Sequence, residues 1–127
     1  MVQIQIEYHS GVPVYRQIMD QISFHIASGL LSEGMSLPSV RDLSRQLDVN
    51  PMTISKALGY LEQDGLVARK PGRPLVICKR TDKEQEFSKK EHLVNVLRPA
   101  RRLANQLGYS KEEAFEIFEE VFEGEEK

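Results

Sequence analysis

The sequence predicts an α+β fold in which a small helical domain with a two-stranded hairpin precedes a helical tail. Two short amphipathic helical patterns follow each other closely within residues 37–65, and a basic hairpin pattern comes directly after them. Two such helices followed by a hairpin make a winged helix-turn-helix. We therefore divide the 127 residues into an N-terminal winged helix-turn-helix domain, residues 1–80, and a helical dimerisation tail, residues 81–127.

The N-terminal part of the chain begins with an alternating pattern and continues into a helix. Apolar and polar residues alternate over residues 2–7, which predicts a short, half-buried edge strand. Ser28 and Gly29 end the following helix, and residues 30–37 are expected to form a connector. The helix itself opens at Pro13 and has an apolar residue at every fourth position of one face: Val14, Ile18, Ile22 and Ile26.

The two helices of the predicted helix-turn-helix have recognisable starts. Ser39 suits the N-cap of the first helix, because its hydroxyl can accept a hydrogen bond from a free backbone N–H of the first turn. Asn50 caps the second helix, and Pro51 takes its first position, where a missing N–H costs nothing. The second helix has an apolar inner set, Ile54, Ala57, Leu58 and Leu61, and an outward set, Met52, Thr53, Ser55, Lys56 and Tyr60.

The predicted hairpin consists of residues 66–69 and 75–79, with a tight turn at residues 70–74 between them. Its charge predicts a wing whose tip lies over phosphates or enters a minor groove with Arg73. The alternative interpretation is a hairpin that is merely solvated. Although the net charge of the whole chain is -2, residues 65–80 contain no acidic side chain and five basic ones: Arg69, Lys70, Arg73, Lys79 and Arg80.

The tail is predicted to contain two helices. Residues 80–90 are either a linker or the first turns of the first of them. Pro99 lies inside this helix, so we expect a bend or a break near Arg98. Ser110 and Glu113 form a capping box for the second helix.

The tail also presents more apolar surface than two helices can cover by themselves. A second copy of the chain is the simplest cover, and the alternative is that the apolar seam covers the chain's own core. The spacing of the seam is that of helices packed side by side. The predicted dimer interface consists of Leu93, Leu97, Ala100, Ala104, Leu107, Phe115, Phe118 and Phe122.

Composition argues against several other classes of protein. No apolar run approaches the roughly 20 residues that a membrane span needs, and no signal peptide is expected at the N-terminus. One cysteine cannot form an intrachain disulfide, which fits a reducing cytoplasm. The three histidines, His9, His25 and His92, lack metal-ligand spacing, and no nucleophile–base pattern is present. We expect no enzyme activity, no metal and no cofactor.

The second helix of the pair suits a DNA major groove. A helix that begins at Asn50 presents its first turn to the base edges. Thr53 can donate or accept a hydrogen bond, and Lys56 can bind a phosphate or a guanine edge. Met52 fits packing or apolar contact better than base recognition. Because one monomer can recognise few bases, a two-fold dimer would bind an inverted repeat with half-sites about 10 base pairs apart or a small multiple of that.

These motifs resemble the GntR family of transcription regulators, in particular its YtrA-type subfamily. The match includes PVYRQI at residues 13–18, LPSVRDL at residues 37–43, VNPMT at residues 49–53 and LEQDGL at residues 61–66. The resemblance implies a winged helix-turn-helix with a C-terminal helical pair used for dimerisation. It also implies a bacterial repressor, often of an operon that encodes an ABC-type transporter.

The resemblance extends to individual positions. Arg41 matches the family's DNA-contacting arginine, and Gly72 and Arg73 match the tip of the wing. The alternative for Arg41 is a surface charge beside Asp42. The candidate DNA-binding residues are Ser39, Arg41, Asn50, Met52, Thr53, Ser55, Lys56, Arg69, Lys70, Gly72 and Arg73.

The expected partners are double-stranded DNA and a second copy of the chain. The leading hypothesis is a sequence-specific homodimeric regulator. One alternative is a winged-helix protein-interaction module, in which Arg41 and the wing meet an acidic partner. The other is a sensor whose small-molecule effector, of unknown identity, binds at the dimer interface between Phe115, Phe118 or Phe122 and the seam of residues 93–107.

Overall fold

The computed structural model describes residues 3–124 and has the predicted α+β fold, with five helices and one two-stranded antiparallel sheet in this range. The chain divides into two compact units, Met1–Lys89 and Lys90–Lys127, and the functional boundary after residue 80 stays a prediction. The elements in chain order are α1 (Val14–Ala27), α2 (Val40–Leu47), α3 (Pro51–Gln63), β1 (Val67–Ala68), β2 (Val76–Ile77), α4 (Asp82–Gln106) and α5 (Lys111–Gly124).

The first unit has one hydrophobic core, in which α1 packs against α3. Ile18 and Ile22 of α1 and Ile54 of α3 are fully buried. Leu43 of α2 and Val67 of β1 complete the same cluster. The four-residue repeat predicted for α1 is thus confirmed, because it defines the face that packs on α3.

Local capping fixes where the two helices of the helix-turn-helix start. The Ser39 hydroxyl accepts a hydrogen bond of 3.0 Å from the Asp42 backbone N–H, as predicted. The Asn50 side-chain oxygen accepts one of 2.8 Å from the Met52 N–H at the start of α3. Each cap satisfies a backbone donor that the first turn of a helix leaves free.

Both C-terminal helices begin with a capping box. At α5, the Ser110 N–H donates to the Glu113 carboxylate over 2.9 Å, and the Glu113 N–H donates to the Ser110 hydroxyl over 3.1 Å. The backbone N–H of Ser110, followed by its hydroxyl, lowers the pKa of the Glu113 carboxyl, because these hydrogen bonds favour its ionised form. Thr81 and Glu84 make the same arrangement at α4, with the same effect on the pKa of Glu84. Residues 82–90 are therefore helix rather than linker.

The edge strand predicted for residues 2–7 is wrong over residues 3–7, and Val2 lies outside the described residues. The segment keeps the predicted alternation, because Ile4 and Ile6 are half-buried against the core. It belongs to no sheet, however. Alternation along the sequence predicted correctly which side chains face the core, but it could not identify what pairs with the segment.

Side chains of α1 take the place of a neighbouring strand. The Gln17 amide accepts from the Glu7 N–H over 2.8 Å and donates to the Glu7 carbonyl over 2.9 Å. One helical turn later, Gln21 binds the N–H and carbonyl of Gln5 in the same way, over 2.9 and 2.7 Å. A glutamine amide carries a donor and an acceptor, as a peptide group does, so it can pair with both polar groups of one residue.

The connector at residues 30–37 pairs with the wing, which the sequence did not predict. Ser36 and Val76 form an antiparallel bridge, and the Leu37 N–H donates to the Leu75 carbonyl over 2.8 Å. The strands β1 and β2 are shorter than predicted, with Val67 opposite Ile77. Strand β2 of the wing is thus paired on both sides, with β1 and with the connector.

Helix α4 passes through Pro99 without a break. Neither α4 nor α5 buries a side chain, along the part of the tail that the structure describes. No helix within residues 3–124 is long and apolar enough to cross a membrane.

The faces of α3 lead to a stability prediction. Ile54→Ala should lower the free energy of unfolding by about 2–5 kcal/mol, because Ile54 is fully buried and its truncation leaves a cavity. Met52→Ala, at a position where the side chain is 80% exposed, is the matched control and should change it by less than about 0.5 kcal/mol. Urea denaturation followed by circular dichroism measures both. Equal losses in the two variants would contradict this assignment of faces.

Candidate nucleic-acid interface

A tight turn at Asp48 joins α2 and α3. Asp48 has a φ of 54°, in the left-handed region that aspartate tolerates better than most residues. Its N–H bonds to the Ser44 carbonyl, while the Ser44 hydroxyl donates to the Val49 carbonyl over 2.6 Å. Val49 is buried directly after the turn. These contacts hold the start of α3 in a fixed position beside α2.

The first two turns of α3 present the predicted recognition residues to solvent. Met52, Ser55 and Lys56 are exposed, and Thr53 is half-buried. Met52 is 80% exposed, so it does not serve as a packing residue within this chain. The outward side of the first two turns of α3 thus offers one cation, two hydroxyls and a thioether.

The remaining candidates of the helix-turn-helix lie at the two helix starts. Ser39 and Asn50 use an oxygen for capping, which leaves the Ser39 hydroxyl hydrogen and the Asn50 amide N–H groups as donors. Arg41 is exposed in the first turn of α2 and forms no salt bridge with any residue in the described range, Asp42 included. Its charge is therefore available to a partner.

The wing projects basic side chains from a hydrogen-bonded turn. The Arg73 N–H donates to the Lys70 carbonyl over 3.0 Å, and Gly72 has a φ of 73°. Pro71 followed by a glycine with positive φ is the arrangement of a type II turn. Arg69, Lys70 and Arg73 are exposed and form no salt bridge within residues 3–124. The wing therefore carries a positive charge that its own chain leaves uncompensated.

An aromatic cluster lies beside Lys56, which the sequence did not predict. The Lys56 ammonium nitrogen lies 4.1 Å from the centroid of the Tyr15 ring, which belongs to α1. The Tyr15 and Tyr60 rings follow, with centroids 5.7 Å apart and planes inclined by 30°. The sequence places Tyr60 at an outward position and Tyr15 in a family motif. No spacing along the chain indicates that the three side chains meet.

The predicted dimer residues are accessible in the second unit. Ala104 is half-buried, and the other seven, Leu93, Leu97, Ala100, Leu107, Phe115, Phe118 and Phe122, are exposed. Phe118 and Phe122 contact each other with ring centroids 6.3 Å apart. Neither α4 nor α5 buries a side chain along its described residues, and the cover of this apolar surface stays a prediction.

A small-molecule pocket or a metal site finds little support in the described residues of the first unit. A cleft of about 180 Å³ lies between the end of α1 and the start of α4, with Ile26, Ile77 and Gln85 among its lining residues. Ligand pockets usually measure about 300–1,000 Å³. In the described part of the chain, no group of three or more His, Cys, Asp or Glu side chains could hold a metal ion.

The chain is similar in sequence to bacterial transcription regulators. The family model described as "Bacterial regulatory proteins, gntR family" matches residues 14–77. The uncharacterized HTH-type transcriptional regulator YhcF of Bacillus subtilis (strain 168) is 33% identical over 119 residues, which cover 93% of this chain and 97% of YhcF. The HTH-type transcriptional repressor YtrA of the same organism is 40% identical over 70 residues, 55% of this chain and 54% of YtrA.

Solved structures resemble this one in fold. A GntR family transcriptional regulator from Listeria monocytogenes gives a TM-score of 0.78 with 25% identity, over 89% of this chain and 98% of that one. The AraR DNA-binding domain in complex with operator ORE1 gives a TM-score of 0.52 with 28% identity, over 60% of this chain and 93% of that one.

Proposed function

Since the chain belongs to the GntR family of bacterial regulatory proteins, we propose that it represses transcription by binding an inverted-repeat operator as a homodimer. Like the family, it is a DNA-binding transcription regulator and not an enzyme. The similar protein YtrA is named a transcriptional repressor, which supports repression here. The resemblance to the YtrA-type subfamily is the basis for proposing that the regulated operon encodes a transporter. We place its action in the bacterial cytoplasm, where the chromosomal DNA lies.

The observation that carries this proposal is the exposed start of α3 beside an uncompensated basic wing. A major groove about 12 Å wide admits a helix, and the first turn of that helix meets the base edges. Thr53 and Ser55 supply hydroxyls there, and Lys56 supplies a cation. The AraR domain, which has a similar fold, was solved with operator DNA bound, and this supports the same use of the fold here.

Phosphate contacts would come from the edges of this surface. Arg41 at the start of α2 and Arg73 at the tip of the wing are exposed cations without an acidic partner in the described chain. Contacts of this kind fix position and orientation on the duplex, whereas the side chains of α3 supply the sequence preference. Because the phosphate contacts are electrostatic, the affinity should fall as salt rises. The preference for one base sequence over another should depend on the side chains of α3.

The apolar surface of the tail supports the homodimer. Large apolar side chains such as Leu97, Phe118 and Phe122 stay 39%, 53% and 62% exposed, respectively. Contiguous exposed apolar surface usually marks an interaction site. A symmetric dimer covers the same surface on both copies and presents two recognition helices to two half-sites.

Selection from a random duplex library tests the proposed function. The protein should enrich an inverted repeat with half-sites about 10 base pairs apart or a small multiple of that. It should bind the selected duplex at least about 10³-fold more tightly than random duplex at physiological salt. The control is the same titration at two salt concentrations. If the affinity for both duplexes falls equally as salt rises, the binding is non-specific and electrostatic, which would contradict the proposal.

Two substitutions separate the wing from the recognition helix. Arg73→Ala should weaken binding to all duplexes about equally and reduce the salt slope by about one, because it removes a phosphate contact. Lys56→Ala should weaken binding as well and, if the contact is to guanine, also relax the base preference. Lys83→Ala, an exposed cation at the start of α4, is the matched control. Unchanged affinity in Lys56→Ala or Arg73→Ala would remove that residue from the interface.

Sedimentation of a charge-inserted variant tests the dimer. Phe118→Glu should convert the protein from twice the mass of one chain to a monomer, because a carboxylate on each copy opposes burial of the apolar surface. Tyr8→Glu changes a comparably exposed aromatic residue outside the tail and should leave the mass unchanged. A wild-type protein that sediments as a monomer would rule out the homodimer.

A further inference from the structure

We propose that Tyr15 is a positioning residue for DNA recognition, and that its ring holds the Lys56 ammonium where α3 meets DNA. The inference rests on the proposed function, because it concerns the same surface. Tyr15 lies at the start of α1 and is no part of the helix-turn-helix itself. Its contribution is to orient a side chain of a different helix.

The geometry is that of a cation–π contact. The Lys56 nitrogen lies 4.1 Å from the centroid of the Tyr15 ring, well within the roughly 6 Å over which such contacts are attractive. Tyr15 is half-buried and packs against the core, so its ring is held in place. Tyr60 lies beside it at a centroid distance of 5.7 Å. A fixed ring thus restrains the end of a long, exposed side chain.

Restraint matters because lysine is flexible. Its side chain has a large rotamer entropy, which an ordered contact with DNA must overcome. If the ring already limits where the ammonium lies in the free protein, less of this entropy remains to be lost on binding. Lys56 would then meet DNA in a partly ordered state.

The ring also leaves the charge of Lys56 intact. Lys56 forms no salt bridge with the residues at 3–124, so no carboxylate neutralises it. The ammonium has three N–H donors, and the donors directed away from the ring stay available to a phosphate or a guanine edge. An acidic neighbour could position the lysine equally well but would compete with DNA for it. An aromatic ring positions the cation without that competition.

A double-mutant cycle on the selected operator duplex tests the inference. Tyr15→Leu should weaken binding about two- to fivefold when Lys56 is present, because part of the rotamer entropy of the lysine must then be lost on binding. In a Lys56→Met background, Tyr15→Leu should have no further effect. Tyr15→Phe keeps the ring and should restore most of the affinity. Tyr8→Leu, at a 65% exposed tyrosine, is the matched control and should leave the affinity unchanged.

Proton NMR of the free protein tests the contact between Lys56 and Tyr15 directly, even if a variant fails to fold. In the wild-type protein, the ε-methylene protons of Lys56 should be shifted upfield by the Tyr15 ring, and Tyr15→Phe should keep this shift while Tyr15→Leu loses it. Circular dichroism confirms that each variant is folded. If Tyr15→Leu does not fold, the upfield shift in the wild-type protein and in Tyr15→Phe decides the question, and an absent shift overturns the inference.

The outcomes distinguish the inference from the proposed function. If the protein selects no operator, the proposed function fails and the inference falls with it. If operator binding holds but Tyr15→Leu weakens it equally in both Lys56 backgrounds, the inference alone is overturned. Loss of affinity in Tyr15→Phe as large as in Tyr15→Leu would assign the effect to the hydroxyl and overturn it too.

Discussion

The packing of α3 against α1 is the contact on which the rest of the first unit depends. Ile54 and Leu58 of α3 are buried in the core that Ile18 and Ile22 of α1 share. Since successive residues of a helix are rotated by a fixed angle, burying these positions directs Met52 and Lys56 outward. The stability of the domain and the display of its recognition side chains therefore come from one set of contacts.

Features encoded within a few residues were predicted well from the sequence. Caps at Ser39, Asn50 and Ser110 follow from side chains that bond to the backbone nearby, so no knowledge of the tertiary structure is needed. The faces of α1 and α3 follow from periodicity for the same reason. Capping and periodicity together are therefore enough to place the candidate recognition residues on an exposed helix start.

Features that join distant parts of the chain were not predictable in this way. The alternation at residues 3–7 indicated an extended chain, but its partner proved to be a row of side chains on α1. The bridge between Ser36 and Val76 joins a connector to the wing. The approach of Lys56 to Tyr15 depends on how α1 and α3 are rotated about their axes, which no local pattern contains. The second unit illustrates the same division, since a capping box defines the start of α5 while its large apolar side chains stay exposed.

The attachment of the N-terminal segment to α1 has a consequence for its register. Gln17 and Gln21 bind whichever peptide groups lie opposite them, so their hydrogen bonds alone would accept a segment displaced by two residues. Gln17 also donates to the Val12 carbonyl over 2.8 Å, which ties the loop to the same side chain. The length of the loop between Glu7 and Val12 therefore decides which residues face the core. A loop longer by one residue would direct Ile4 and Ile6 to solvent, whereas one longer by two would keep an apolar face inward. Whether the number of loop residues changes by an odd or an even number, rather than the hydrogen bonds, therefore determines which face of the segment is buried.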